Sequence, residues 1–315
     1  MKREGKIKSL ILISVLIGIL FVSLASAGVI GWIKSTITGK ATSQDFELNL
    51  TVGAPGIYAV YNQSDLAVDI NENTFTEVII NFSVYTPLGA VYLNHSTATV
   101  NLSFPGQDLR ENSSCYPYEI AGDYANYTCN ITMWWWDIND TWSITAYILD
   151  NSSSAGINNT GTQEVGETRA LVGGPTPITW AAFSPGTGNQ TSNNDPYIMN
   201  NTGNIVIPSA ILKVNATHLR GEEDSTEGIW AGNFSVNWST GGTPPAECGG
   251  TGMVHGEFTS IAGANLSTGN YTFNNGATGQ EYLYFCIVET QNNLSTQAYS
   301  TADEGLWTVD ISGAV

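Results

Sequence analysis

Between Asn126 and Trp142 the chain reads NYTCNITMWWWDINDTW, placing one thiol, four indoles and three Asn-x-Ser/Thr triplets within seventeen residues. Each group carries a chemistry. The asparagine of such a triplet offers its amide to an oligosaccharyltransferase when a chain is exported. An indole can stack on the apolar face of a sugar ring, or be covered by another protein surface. A thiol can close a disulfide in an oxidising compartment. The triplet recurs at Asn49, Asn62, Asn81, Asn94, Asn101, Asn112, Asn126, Asn130, Asn139, Asn151, Asn158, Asn189, Asn200, Asn215, Asn233, Asn237, Asn265, Asn270 and Asn293. With 29 Asn and 61 Ser plus Thr in 315 residues, random order would give about six such triplets. Eleven of the nineteen have an apolar or aromatic middle residue. On a strand that pattern turns Asn and Ser/Thr outward and the middle residue inward. Strand alternation in an Asn/Ser/Thr-rich chain therefore accounts for part of the excess. Either way the asparagines are expected at the surface, several of them carrying covalent N-glycans.

Strands must position these groups. By parity, Tyr127, Cys129, Ile131, Met133 and Trp135 share one face, and Asn126, Thr128, Asn130, Thr132, Trp134 and Trp136 the other. The first set reads as core. DINDT reads as a turn, and Trp142, Ile144, Ala146 and Ile148 as the inner face of a returning strand, so the stretch is expected to be a hairpin. Trp134 and Trp136 remain as candidate contact or ligand residues. GIYAVYN, FTEVIINFSVY, STATVNLSF, YTCNITMWWW and WSITAYILD give a first set of strands; ITWAAFS, NIVIPSAILKVNAT, IWAGNFSVNW, EYLYFCIVET and LWTVDIS give a second. No long helical pattern follows residue 45. The expected class is all-β: two immunoglobulin-like β-sandwiches in tandem, at 45–160 and 178–315, with a Gly/Pro-rich linker over 161–177. The four cysteines allow three pairings. The reading takes one bond in each domain, Cys115–Cys129 and Cys248–Cys286. There is no C-x-x-C, which argues against zinc and thioredoxin chemistry.

The N-terminus, MKREGKIKSLILISVLIGILFVSLASAG, has a basic start, an uncharged run from Ser9 to Ala27 and an Ala-Ser-Ala end. That is a secretory signal peptide over residues 1–27, with an uncleaved membrane-anchor helix as the alternative. Membrane contact follows only in the second case. Residues 28–44 form an N-terminal arm. DFELNLTV after it alternates, with Phe46, Leu48, Leu50 and Val52 on one face. The formal net charge is −18, with 10 Lys plus Arg against 28 Asp plus Glu, which opposes nucleic-acid binding. His95, His218 and His255 fall on separate segments, and no HExxH, G-x-S-x-G or phosphate-binding Gly-rich motif occurs. No catalytic residues, resident metal or cofactor are therefore expected. Acid runs at Glu222, Glu223, Asp224 and Glu227, and at Asp65, Asp69 and Glu72, are calcium candidates without EF-hand spacing.

The stretch TSNNDPYIMNNTGNIVIPSAILKVNATHLRG, followed by IWAGNFSV, resembles a β-sandwich module repeated in archaeal surface proteins. The leader with GWIKSTITGKATSQ is similar to N-termini of such proteins. CNITMWWWDINDTWSITAYILD resembles their immunoglobulin-like strand pairs. The resemblance covers most of residues 1–50 and 115–240. It implies an envelope protein and a fold, and supplies no catalytic residues. The expectation is a secreted, extracellular structural glycoprotein that self-associates into a homopolymer, filament, pilus-like fibre or S-layer, by lending its N-terminal segment Gly28–Val52 to a neighbour, with Phe46, Leu48 and Leu50 filling pockets. An adhesin using Trp134 and Trp136, and an anchored ectodomain that does not polymerise, are the alternatives.

Overall fold

The computed structural model describes residues 53–62, 67–239, 248–273 and 278–312. The leader, the arm, Asn49, Phe46, Leu48, Leu50, Val52, Asp65 and the Asn62 side chain lie outside the described residues. The protein is all-β. Among the described residues the only helical turns are three of the 3-10 type, each three residues long.

The first half contributes β1 (Gly56–Asn62), β2 (Phe75–Tyr85), β3 (Leu93–Ser103), β4 (Arg110–Asn112), β5 (Tyr116–Ala121), β6 (Tyr124–Trp134), β7 (Thr141–Asp150) and β8 (Ala155–Glu164). They form two antiparallel four-stranded sheets, in the orders β1-β2-β6-β5 and β4-β3-β7-β8. One core lies between them. β2 and β6 pair without a break from Phe75↔Trp134 to Tyr85↔Tyr124. Val78, Ile80, Phe82 and Val84 therefore meet Ile131, Cys129, Tyr127 and Ala125 on the inner face, all buried. Phe82 and Tyr127 stack with centroids 4.8 Å apart. The Tyr127 hydroxyl lies 2.6 Å from His95 Nδ1, and burial pushes the tyrosine pKa up and the histidine pKa down. Trp142, Ile144, Ala146 and Ile148 supply the facing layer, each fully buried. A buried aliphatic or aromatic side chain of this kind is worth about 1.5–3 kcal/mol over its exposed state. The segment entering β1 passes so close to β8 that Gly156 admits no side chain, since a Cβ there would stand 2.6 Å from the Pro55 carbonyl oxygen; at Gly161 a Cβ would make a tight 3.1 Å contact with the Val60 side chain.

The two strands of the opening stretch are not a hairpin. β6 belongs to one sheet and β7 to the other, so residues 135–140 form an arch over the end of the core. A buried charge lies within the arch. Asp137 is fully buried and accepts from Arg110 Nε at 2.9 Å, from Arg110 Nη2, and from the Trp134 backbone N–H at 2.8 Å. Arg110 sits on β4, in the sheet opposite β6, so this pair ties the sheets together across the arch.

The second half contributes β9 (Leu171–Gly174), β10 (Gly188–Thr191), β11 (Tyr197–Asn201), β12 (Ile207–Pro208), β13 (Lys213–Asn215), β14 (Leu219–Gly221), β15 (Gly228–Ile229), β16 (Phe234–Ser239), β17 (Thr251–Gly252), β18 (Phe258–Ser260), β19 (Asn265–Leu266), β20 (Gln280–Glu289), β21 (Tyr299–Ser300) and β22 (Thr308–Asp310). The largest sheet runs β17-β16-β20-β11-β9, with β10 also on β20. Three small sheets, β12-β19, β18-β13-β22 and β15-β14-β21, complete this half. Its separate core takes Phe234, Val236, Leu283, Phe285 and Ile287 from the large sheet, and Val214, Leu219 and Ile207 from the small ones. β8 and β9 enter the range 161–177 from both ends, leaving 165–170 between them. There Thr168 Oγ1 donates to the Ile70 carbonyl at 2.8 Å, and Asn73 N–H donates to the Thr202 carbonyl at 2.9 Å.

Candidate functional site

The second core is not closed. The stretch ITWAAFS, expected as a strand, forms none. Pro177 and Pro185 bracket it, and a proline has no N–H to give a ladder. Trp180 turns inward instead and donates Nε1–H to the Gln190 carbonyl at 3.2 Å. Its ring lies edge-on to Phe234 at 5.4 Å and 6.3 Å from Trp307. Trp307 in turn packs on Phe234 at 5.0 Å and donates Nε1–H to the Thr217 carbonyl at 2.8 Å. Both indole N–H groups are thus satisfied, and the half-buried rings form an apolar floor.

Over that floor lie two adjoining cavities of about 680 and 360 Å³, sharing Pro177, Ile178, Trp180, Leu219 and Thr301. Each is within the ~300–1,000 Å³ range of pockets that hold a molecular ligand. The walls are segments 294–301 and 306–309. β21 and β22, within these walls, each stand at the end of a three-stranded sheet. The groove therefore joins an aromatic floor to two strands that, among the described residues, are paired on one side only. Leu306, on its margin, is 79% exposed.

Polar groups fix the rim. The Glu227 carboxylate accepts from Ser295 N–H (2.9 Å), Ser295 Oγ (2.7 Å), Gln297 Nε2 (2.9 Å) and the Tyr299 hydroxyl (2.9 Å). The backbone and side-chain bonds from Ser295 and Tyr299 hold its pKa down at about 2. Gln297 Oε1 accepts from the N–H groups of Glu223 and Asp224, and Asp224 Oδ1 from Thr226. The acid run expected as a calcium candidate is thus a clamp on the 294–301 wall. Among the described residues no three His, Cys, Asp or Glu gather as a metal-binding group. Asp69 and Glu72 are exposed on the chain leading to Asn73. On the other rim, Arg220 donates to Glu304 and lies over Trp230, 5.1 Å from the ring. His218 and His255 stack at 3.8 Å beside them. Burial and the neighbouring His255 lower the His218 pKa.

Trp134 and Trp136 stack on each other, centroids 5.1 Å apart and nearly parallel, and both are partly buried against the first core. Each thereby gives one face to the other. Trp135, the buried one of the three, stands edge-on to both and meets Tyr271 of the second half at 5.6 Å. Tyr271 also donates to Asn73 Oδ1. The tryptophans therefore lie at the junction of the two halves. Cys115 is bonded to Cys129 and Cys248 to Cys286, one bond in each half. Of the described glycosylation candidates none is buried, and Asn130, Asn151, Asn189, Asn265 and Asn293 are exposed.

Sequence reasoning missed the groove and one other surface. On the outer face of the β1-β2-β6-β5 sheet, Tyr58, Tyr85 and Tyr124 are all exposed, with ring separations of 6.0 and 5.1 Å. Beside them the Tyr118 pKa is pushed up to about 12 by its hydrogen bond with Tyr61. The alternation of tyrosines on the outward parity was the available signal. No protein-family model matches the chain, and no curated protein matches it either.

Proposed function

We propose that the chain is a non-enzymatic, N-glycosylated structural subunit of an extracellular cell-surface assembly, a filament or a surface layer, and that copies join by donation of the strand Phe46–Val52. The observation that carries this reading is the groove, an apolar floor flanked by the open edges of β21 and β22. An extended segment satisfies such edges through backbone hydrogen bonds while alternate side chains fill the floor. Phe46, Leu48, Leu50 and Val52 have that alternation. In this reading each half is an immunoglobulin-like sandwich. The orders β1-β2-β6-β5 and β4-β3-β7-β8 support it for the first half, since they match the ABED and CFG sheets with β4 as an added edge strand. Two disulfides and the unburied triplet asparagines are compatible with an exported protein of the archaeal surface kind.

The test is negative-stain electron microscopy of the full chain from its cell-surface fraction. Ordered filaments or a lattice are expected. A Leu48→Asp/Leu50→Asp variant should give dispersed particles, since each buried leucine is worth about 1.5–3 kcal/mol. Dispersed wild-type particles, or a variant that still polymerises, would overturn the reading.

A further inference from the structure

We propose that the groove between Trp180 and Trp307 is the acceptor for the Phe46–Val52 segment of a second copy of this chain, so that copies join head to tail. This rests on the strand-donation reading and adds the order of the copies: the segment does not fold back into its own groove, and the chain of contacts runs on.

The occupant follows from chain position. Gly56 is paired with Tyr85, at the end of β2 opposite Phe75. Phe75 adjoins Trp134 and the junction at Asn73 and Thr202. The ten steps from Phe75 to Tyr85 span roughly 33 Å. The described chain therefore begins at the end of the first half remote from the second. Residues 46–52 immediately precede that point and reach at most about 25 Å when fully extended. That is less than the length of β2 alone. In the second half, Gly279 accepts from Asn201 N–H beside the same junction, and β20 runs away from there. The groove takes Phe285 and Ile287, from the later part of β20. The described chain thus begins at one end and the groove opens toward the other. The segment serves a neighbour, and a contact between two different surfaces of identical chains propagates as an open chain of subunits. The floor suits the occupant: it is aromatic, its indole N–H groups are already bonded, and no unpaired charge faces an incoming Phe or Leu.

Two full-length variants test this, Leu48→Cys and Thr301→Cys, the second position lying in both parts of the groove. Mixed and mildly oxidised, they should give covalent pairs whose link joins positions 48 and 301, mapped by peptide mass spectrometry. Neither variant alone should give that link. A Tyr58→Cys variant, on the exposed outer face of the first half, serves as the control acceptor. Polymers that form while position 48 links only to position 58 would overturn the groove and move the acceptor to the tyrosine face, leaving strand donation standing; polymers in which position 48 links to neither would overturn the groove and remove the observation that carries strand donation. A chain carrying both Leu48→Cys and Thr301→Cys that closes on itself as a dilute monomer, with no link between mixed single variants, would overturn the head-to-tail arrangement. Absence of polymer from the wild-type chain would overturn the underlying reading and this inference with it.

Discussion

Glu281 lies on the β20 face that carries Leu283, Phe285 and Ile287 into the second core, opposite Met199 in the ladder. It is 4% exposed, and its Oε2 has no hydrogen-bond partner. Desolvation raises its pKa to about 7. An acid whose folded pKa exceeds its unfolded value weakens the fold as pH rises. At pH 4 both states are largely protonated and there is little penalty. Between about 4.5 and 7 the unfolded chain ionises while the folded one resists, and above 7 the penalty is constant. Replacing Glu281 by methionine removes the orphaned oxygen and keeps an unbranched chain against Met199. Glu281→Met should stabilise the protein by about 1–3 kcal/mol at pH 8, where it removes both the orphaned oxygen and the buried charge, and by less at pH 4, where only the orphaned oxygen is removed. Denaturant titration at the two pH values checks this; equal effects at both would remove the ionisation argument. This acid was not legible in the sequence. Parity placed EYLYFCIVET as a strand, but nothing in a tract of this composition marks which end of it enters the core.

Among the elements, the long strands were legible and the short ones were not. β2, β6, β7 and β20 have ten or eleven residues, enough for alternation to show, and the parity of Tyr127 to Trp135 matches their burial. Alternation reports faces and says nothing of partners. That is why β6 and β7 read as a hairpin, although Arg110 and Asp137 place them across an arch. The groove had no signature at all: β21 and β22 have two and three residues, and Trp180 and Trp307 meet only in the fold. Its 294–301 wall hangs on Glu227, whose four donors all come from Ser295, Gln297 and Tyr299. With a folded pKa of about 2, this carboxylate contributes stability in full above its unfolded value near 4.5, lost as pH falls from there through 2. Glu227→Gln should therefore speed hydrogen exchange of 294–301 at pH 7, leave the first half unchanged, and lose most of the acid-dependent loosening of the wild type. Unchanged exchange in the wall would show that other contacts hold it.

At the scale of the whole molecule, glycans and contacts compete for surface. A glycan blocks close approach wherever it is attached, so an assembly interface must be free of glycans. Asn130, Asn151, Asn189 and Asn265 are exposed and line neither cavity. Asn293 is exposed too, but its triplet runs directly into the groove: Leu294 and Ser295 line the larger cavity, and Ser295 is held by Glu227. In the proposed strand donation Asn49 falls on the parity opposite Phe46, Leu48 and Leu50, the side a donated strand would turn away from the floor. Glycopeptide mass spectrometry of the protein taken from the polymer should accordingly find high occupancy at Asn130, Asn151, Asn189 and Asn265 and little at Asn293. A synthetic triplet farther along the same wall gives the converse: Ala298→Asn, which creates the sequence Asn-Tyr-Ser, should cap the chain and shorten the filaments if it is glycosylated. Full occupancy of Asn293 in long polymers would mean that the 294–301 wall faces solvent, and the contact between copies would then have to be sought elsewhere, first on the tyrosine face of Tyr58, Tyr85 and Tyr124.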